Sequence, residues 1–207
     1  MLIHLTVRRN LLTSNDIMIK TNSGFNFLPK FLIDLAEGFY QVGYQLAKFI
    51  HQEKSYNGFV GIAPAVVNFN LAAELYIKSI IAIQFKRRIL GHNLIKLYKE
   101  LPASVKRQLE KNYTELKETR KKELTRFRVV ITRADINTDS PNEPMVYNSI
   151  SELLLNHQDA FEKWRYLHEI GNNDKIDYEY DFHSMDCFIN AIKDYIKLAL
   201  RSTEKDR

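Results

Sequence analysis

The chain has very little cysteine, which limits the ways in which it can be stabilised. Cys187 is the single cysteine among 207 residues, so the chain cannot form an intramolecular disulfide. We interpret Cys187 as a small buried thiol rather than a reactive one, because it lies in an amphipathic segment. One unpaired cysteine is typical of a protein of the reducing cytoplasm.

Long hydrophobic runs are also missing. Every long apolar stretch is interrupted by Lys, Glu, Asn or Gln, so no window reaches the roughly 18 to 20 uninterrupted apolar residues that cross a bilayer. Residues 1–9 place two arginines after a very short apolar stretch, which is the reverse of a secretory signal. These patterns predict a cytoplasmic protein that neither spans nor binds a membrane.

The sequence motifs of the familiar enzyme classes are absent. The chain has no glycine-rich phosphate loop, no paired-cysteine metal signature, no His-Glu-x-x-His element and no Gly-x-Ser-x-Gly element. The sequence therefore indicates neither a metal nor a cofactor.

What is present is the composition of a folded domain. Apolar residues make up 45% of the chain and charged residues 27%, whereas disordered chains are poorer in large apolar residues. The length is sufficient for one domain that buries most of its apolar surface. Turn and cap residues dominate before about Phe25, so we predict an N-terminal extension over residues 1–27 and one helical domain over residues 28–203.

Apolar residues at spacings of three and four predict a succession of helices. In chain order these cover about 29–54, 66–91, 93–101, 103–128, 149–170 and 182–202. The second is apolar on most of its circumference and should be central, with Gly91 as its C-cap. A Pro-, Asn-, Asp- and Ser-rich loop at about 134–147 is expected to be mobile. The fold class is therefore all-α, a bundle with two long central helices and additional packed helices.

Charge is unevenly distributed along the chain. The net charge is +5, but 15 of the 30 lysines and arginines and only 5 acidic residues lie between Lys86 and Arg133, a local excess of about +10. This stretch is either a solvated helical surface or a surface for nucleic acid or nucleotide. On the second interpretation the candidate residues are Lys86, Arg87, Arg88, Arg120, Lys121 and Lys122. An acidic group at 174–186 forms the opposite corner.

Several polar residues fall where the apolar pattern predicts burial. Glu74 and Lys78 lie four apart on the most hydrophobic helix, so they share a face and form either a structural ion pair or part of a ligand site. His92 follows Gly91 and is either a cap of the next helix or a residue of a site.

Arg165, His168 and Glu169 lie on adjacent turns of one predicted helix, within reach of one another. A guanidinium that stabilises a phosphoryl oxyanion and a histidine that moves a proton are the two groups that metal-free RNA cleavage requires. The structural alternative pairs Arg165 with Glu169 and leaves no catalytic function.

Three stretches together resemble the HEPN superfamily of helical domains. They are Asn70-Leu71-Ala72-Ala73-Glu74-Leu75-Tyr76-Ile77-Lys78, Gly91-His92-Asn93-Leu94-Ile95-Lys96-Leu97 and Phe161-Glu162-Lys163-Trp164-Arg165-Tyr166-Leu167-His168-Glu169. The similarity in order and spacing covers residues 31–200. It implies a bundle of four or more helices, commonly homodimeric.

HEPN proteins include metal-independent ribonucleases, toxins and phage-defence factors. Their composite site pairs an arginine with a histidine that follows after four to six residues. In this chain Arg165 would correspond to the arginine, while the histidine positions hold Ile170, Gly171 and Asn172, and His168 comes earlier. The resemblance therefore implies a variant that lacks the usual catalytic pair.

We therefore predict a cytoplasmic, HEPN-like homodimer that binds RNA, a nucleotide or a partner protein, in defence or toxin–antitoxin biology. Its ligand-binding residues would be Glu74, Lys78, His92 and Glu169. One alternative is an atypical metal-independent endoribonuclease with Arg165 and His168 as catalytic residues. A second is a purely structural interaction module.

Overall fold

A computed structural model describes residues 5–9, 15–19, 27–53, 56–131, 146–165 and 176–205. The helices in these ranges are α1 (Phe27–Gln52), α2 (Tyr56–Phe85), α3 (Leu94–Lys99), α4 (Ala103–Thr119), α5 (Ile150–His157), α6 (Ala160–Arg165) and α7 (Phe182–Lys205). The strands are β1 (Leu5–Arg9), β2 (Asn15–Ile19), β3 (Arg126–Ile131) and β4 (Ile176–Asp181). Helices dominate, so the prediction of an all-α fold is confirmed.

Helix α2 forms the centre of the core. Most of its side chains between Ile62 and Ala82 are buried, and Phe69, Ile77 and Ile80 have no exposed surface. α1, α3, α6 and α7 all pack against it. A helix that is apolar around most of its circumference must be covered on all sides, and these four helices provide that cover.

The amino-terminal part of α2 differs from the prediction. The helix begins at Tyr56 rather than near Val66 and carries Pro64 inside it. Gly58, Gly61 and Pro64 favour a turn, but packing against the end of α1 overrides this local preference. The glycines are required because the two segments lie too close together for larger side chains. A Cβ on Gly61 would lie 3.2 Å from Cγ1 of Ile50, and one on Gly58 would collide with the carbonyl oxygen of Glu53.

The carboxyl end of α2 also differs, since Gly91 does not cap it. The helix ends at Phe85, and Lys86 adopts the left-handed conformation (φ 53°) that closes it. Gly91 (φ 99°) lies instead in the connection to α3. The cap of α3 is Asn93 rather than His92, because the Oδ1 atom of Asn93 accepts a hydrogen bond from the Lys96 backbone at 3.0 Å.

The predicted helix over residues 149–170 is divided in two. α5 ends at His157 and α6 begins at Ala160, while residues 166–175 lie outside the described ranges. The acidic connection after them contains β4, which the sequence analysis missed. β4 pairs antiparallel with β3, with Val129 opposite Tyr178 and Phe127 opposite Tyr180. Residues 176–181 alternate between apolar and acidic side chains, which is the two-residue period of a β-strand. The high acidic content of this stretch led to its interpretation as a connection.

The predicted N-terminal extension and the predicted mobile loop are described only in part. β1 and β2 pair as an antiparallel hairpin within the extension. Residues 132–145 of the loop region lie outside the described ranges, while Tyr147, which follows them, is 3% exposed and packs edge-on against the ring of His157.

One stretch of α2 bears on the membrane prediction. Val60–Phe85 is long and apolar enough, by length and composition alone, to cross a bilayer. In its most apolar window 67% of the residues are buried inside the protein. The central helix of a globular core has the same properties, so we assign Val60–Phe85 to the core.

Candidate functional site

Glu74 on α2 is the centre of a polar cluster at the edge of the core. Its side chain is only 7% exposed, and its Oε1 atom accepts a hydrogen bond from Nζ of Lys78 at 2.7 Å. This is the pair that their four-residue spacing favours. The same carboxylate also faces Nδ1 of His92, which lies 3.1 Å from each of its oxygens. One buried acid therefore holds two potential cations.

His92 reaches this carboxylate from the connection between α2 and α3. The positive φ of Gly91 allows the sharp turn that directs the next residue back onto α2. The His92 side chain is 71% exposed. The contact with Glu74 engages Nδ1 of the ring. The arrangement fixes the orientation of an accessible imidazole.

An aromatic stack completes the cluster from α6. The rings of His92 and Phe161 are nearly parallel, at 14°, with centroids 6.4 Å apart. Next to them, Nδ2 of Asn93 donates a hydrogen bond to Oε1 of Gln158 at 3.3 Å, joining the connection to the turn between α5 and α6. Asn93 and Gln158 were not predicted as site residues, although an Asn before an apolar run is a recognisable helix-cap signal.

The structure brings together some of the predicted site residues. Glu74, Lys78 and His92 are in direct contact, and α6, which packs against α2, ends at Arg165. Arg165 follows Phe161 by four residues and so lies one turn further along the same face of α6. The side chain of Arg165 and the whole of His168 and Glu169 lie outside the described part of the chain.

The basic candidates divide into exposed and internal residues. Lys86, Arg87 and Arg88 are exposed, and they follow the carboxyl end of α2, where cations are favoured by the helix dipole. The guanidinium of Arg87 lies 3.0 Å from Glu100 and 5.4 Å from the centre of the Phe85 ring. The residues 86–88 are called the basic segment below.

Lys86 also borders an open groove of about 510 Å³ between α2, α4 and α7. The groove is lined by Ile83, Gln84, Lys86, Gln108, Tyr195, Leu198 and Ala199.

Arg120 differs from its two basic neighbours. Lys121 and Lys122 are exposed, but Nε of Arg120 lies 2.9 Å from Oδ2 of Asp186, whose side chain is 3% exposed. The hydroxyl of Tyr40 donates a further hydrogen bond to this carboxylate at 2.6 Å. Burial raises the pKa of Asp186, although Tyr40 and Arg120 oppose that shift. Arg120 is thus held by a buried carboxylate, although its own side chain is 31% exposed.

Three acids of the predicted acidic corner have partners inside the fold, since Glu179 and Asp181 contact Arg126 and Asp186 contacts Arg120. Arg126 on β3 contacts Glu179 through Nε at 2.9 Å and Asp181 through Nη2 at 2.9 Å. Asp181 caps α7 by accepting hydrogen bonds from the backbone and hydroxyl of Ser184. The β3–β4 pairing brings Arg126 within reach of both Glu179 and Asp181, a contact that the sequence pattern does not contain.

Cys187 has no exposed surface and lies 3.8 Å from Nε2 of His183. Burial raises the pKa of its thiol to about 12, so the predicted inert, buried thiol is confirmed.

The described residues contain no group of three or more His, Cys, Asp or Glu side chains arranged to hold a metal ion. The groups present in the cluster at Glu74 are a carboxylate paired with Lys78, an accessible imidazole and an aromatic ring. The HEPN resemblance has no independent support from relatives, since no protein-family model, curated protein or solved structure matches this chain.

Proposed function

We propose that the protein is an RNA-binding protein of the HEPN type that holds single-stranded RNA at the His92 cluster and along the basic segment. The observation that carries this proposal is the convergence of Glu74, Lys78, His92 and Phe161. These residues come from the three separate stretches that resemble the HEPN superfamily. Residues that each stabilised only their own segment of the chain would not need to lie close together in the fold.

The chemistry of the cluster matches an unpaired nucleotide. The His92 ring lies nearly parallel to the Phe161 ring with centroids 6.4 Å apart, and the 71% exposure of the His92 side chain gives an unpaired base access to the imidazole. Stacking of one base on such a platform is worth about 1–3 kcal/mol and requires a base that is not paired. The exposed basic segment supplies the positive charge that attracts the phosphates, because the ammonium of Lys78 is already paired with Glu74.

Charge reversal of the basic segment provides the test. We expect Lys86→Glu/Arg87→Glu/Arg88→Glu to lower the affinity for a labelled single-stranded RNA by about 30-fold or more, measured by fluorescence anisotropy. The affinity of the wild type for RNA should fall as the salt concentration rises, with a slope of about −0.7 per phosphate contact in a plot of log K against log salt. The variant should show a shallower slope because it makes fewer contacts.

The matched control carries the same change of charge elsewhere. Lys30, Lys197 and Arg201 are exposed on α1 and α7, so their reversal to Glu should leave the affinity within about threefold of the wild type. Equal losses in both triple variants would mean that only net charge matters. Absence of RNA binding together with a tight protein partner would support the interaction-module alternative.

A second candidate function is metal-independent RNA cleavage, favoured by the buried carboxylate that orients His92. A base that accepts the proton of a ribose 2′-hydroxyl needs such an orienting group. Arg165, one turn from Phe161, is the candidate for the phosphate, with His168 as the further acid or base. The bound RNA, analysed by electrophoresis in EDTA, distinguishes the two functions: the binding proposal expects intact RNA. Cleavage that Arg165→Ala/His168→Ala abolishes would establish the second.

A further inference from the structure

α1 carries two apolar faces, of which only one is covered. Ala36, Tyr40, Ala47 and Ile50 are buried, largely against α2. On the side of α1 that adjoins this buried face, Leu35, Val42 and Phe49 are 38%, 53% and 44% exposed. These three residues are seven apart, so they form one continuous line along the helix, here called the α1 stripe.

The two glycines of α1 provide an independent observation. Glycine inside a helix is unfavourable relative to alanine, so each invites an explanation. Gly43 has one, because a Cβ there would lie 3.0 Å from the ring of Phe69 on α2. Gly38 lies beside the α1 stripe and has none, since no described atom lies within 4 Å of the position of its missing Cβ. A glycine at that place permits the backbone of another helix to approach closely.

Charges on the edge of the α1 stripe indicate which helix this is. Asp34 and Lys48 precede Leu35 and Phe49 by one residue each, so they lie at equivalent heptad positions at opposite ends of the stripe. If two copies of α1 pack antiparallel, Asp34 of each copy lies opposite Lys48 of the other. Within one copy, Asp34 pairs with the exposed Lys30, and Nζ of Lys48 lies 3.9 Å from Glu123 and 5.8 Å from the centre of the Tyr44 ring.

We propose that the α1 stripe binds the α1 stripe of a second copy of this chain, antiparallel, about a twofold axis that passes near Val42. Leu35 of each copy then packs near Phe49 of the other, and the gap at Gly38 is filled by the partner helix. One seam with three large apolar residues covers less than the roughly 800 Å² per partner of a standard interface, so we expect a weak, concentration-dependent dimer. The inference does not depend on RNA binding.

Sedimentation velocity over 1 to 200 μM tests the apolar part of this surface. We expect the wild type to shift from monomer to dimer and Val42→Glu to weaken dimerisation at least tenfold. Leu155→Glu is the matched control, because Leu155 is equally exposed, at 56%, but lies on α5, which packs against α3 and α7. Circular dichroism should show the same helix content in all three proteins. The proposal would be overturned if the wild type stayed monomeric at 200 μM, or if Val42→Glu left the dimerisation affinity unchanged.

A charge exchange tests the antiparallel register. Asp34→Lys and Lys48→Glu should each weaken the dimer, because each places like charges opposite one another, and the double variant should restore the wild-type affinity. A parallel arrangement predicts no such rescue. Crosslinking with a short bis-maleimide, in a Cys187→Ser background, should join two copies of Val42→Cys but not two copies of Leu35→Cys. The latter would lie about 21 Å apart along the helices. The opposite crosslinking pattern would contradict the register.

Discussion

Acidification from pH 6.5 to pH 4 should remove about 3 kcal/mol of the free energy of unfolding through one residue, His157. Its side chain is 1% exposed, and burial lowers its pKa from 6.5 to about 4, although Asp181 opposes that shift. A histidine with a lowered pKa in the folded state stabilises the fold above its unfolded pKa and loses this effect as the pH falls towards the folded value. A difference of about 2.5 pKa units corresponds to about 3 kcal/mol.

The hydrogen bonds of His157 give the physical reason. Its Nε2 atom accepts a hydrogen bond from the backbone N–H of Asp181 at 3.1 Å, so the single proton of the neutral ring is on Nδ1. Protonation of Nε2 would place a second N–H donor opposite the N–H donor of Asp181. The nearby guanidinium of Arg126 also lowers the pKa of His157. The folded protein therefore excludes the charged imidazole, whereas the unfolded chain accepts it.

Urea unfolding at a series of pH values measures this effect. His157→Gln retains an acceptor for the Asp181 N–H but cannot ionise, so the difference between wild type and variant cancels the contributions of the acidic residues. We expect this difference to change by about 3 kcal/mol between pH 7 and pH 4. Parallel curves for the two proteins would contradict the assignment.

Removal of the Asp181 carboxylate should lower the free energy of unfolding at pH 7 by about 3 kcal/mol or more. The side chain is 8% exposed and accepts hydrogen bonds from Arg126 at 2.9 Å and from the Ser184 backbone at 2.9 Å. Asp181→Ala leaves part of the buried Arg126 charge without a partner, and loss of one member of a buried pair costs about 3–5 kcal/mol. It also removes the cap of α7, worth about 1 kcal/mol.

Two further substitutions separate these contributions in thermal or urea unfolding. Asp181→Asn keeps a capping oxygen and loses the charge, so it should be less damaging than Asp181→Ala. Asp34→Ala removes an ion pair with Lys30 whose side chains are 60% and 67% exposed, and such a surface pair is worth at most about 1 kcal/mol. Similar losses for Asp34→Ala and Asp181→Ala would show that Asp181 does not act as a buried ion.

The sequence predicts the helices of this fold well because most of them have strong three- and four-residue apolar spacing. It fails where tertiary contacts override local preference. Residues 56–65 contain Gly58, Gly61 and Pro64, which favour a turn, yet the close approach of α1 makes them helical. β4 was missed because its acidic residues indicated exposure, whereas Arg126 on a strand about fifty residues earlier in the chain neutralises them.

The candidate site was predictable in part for a similar reason. Residues four apart on a helix must share a face, so the Glu74–Lys78 pair follows from spacing alone. The contact with His92 depends on the positive φ of Gly91, and the stack on Phe161 depends on how α6 packs against α2. No local pattern contains this information. The Arg120–Asp186–Tyr40 contacts likewise join three distant parts of the chain.

Nuclear magnetic resonance of the histidine ring protons during titration with single-stranded RNA provides the decisive measurement. The chain has six histidines, and the signals of His92 are identified by their loss in His92→Gln. We expect His92 to show the largest, saturable shifts, and Glu74→Gln to weaken binding because it releases the ring that the base would contact. RNA binding that shifts other histidines and leaves His92 unchanged would contradict the placement of the site on Glu74, Lys78 and His92.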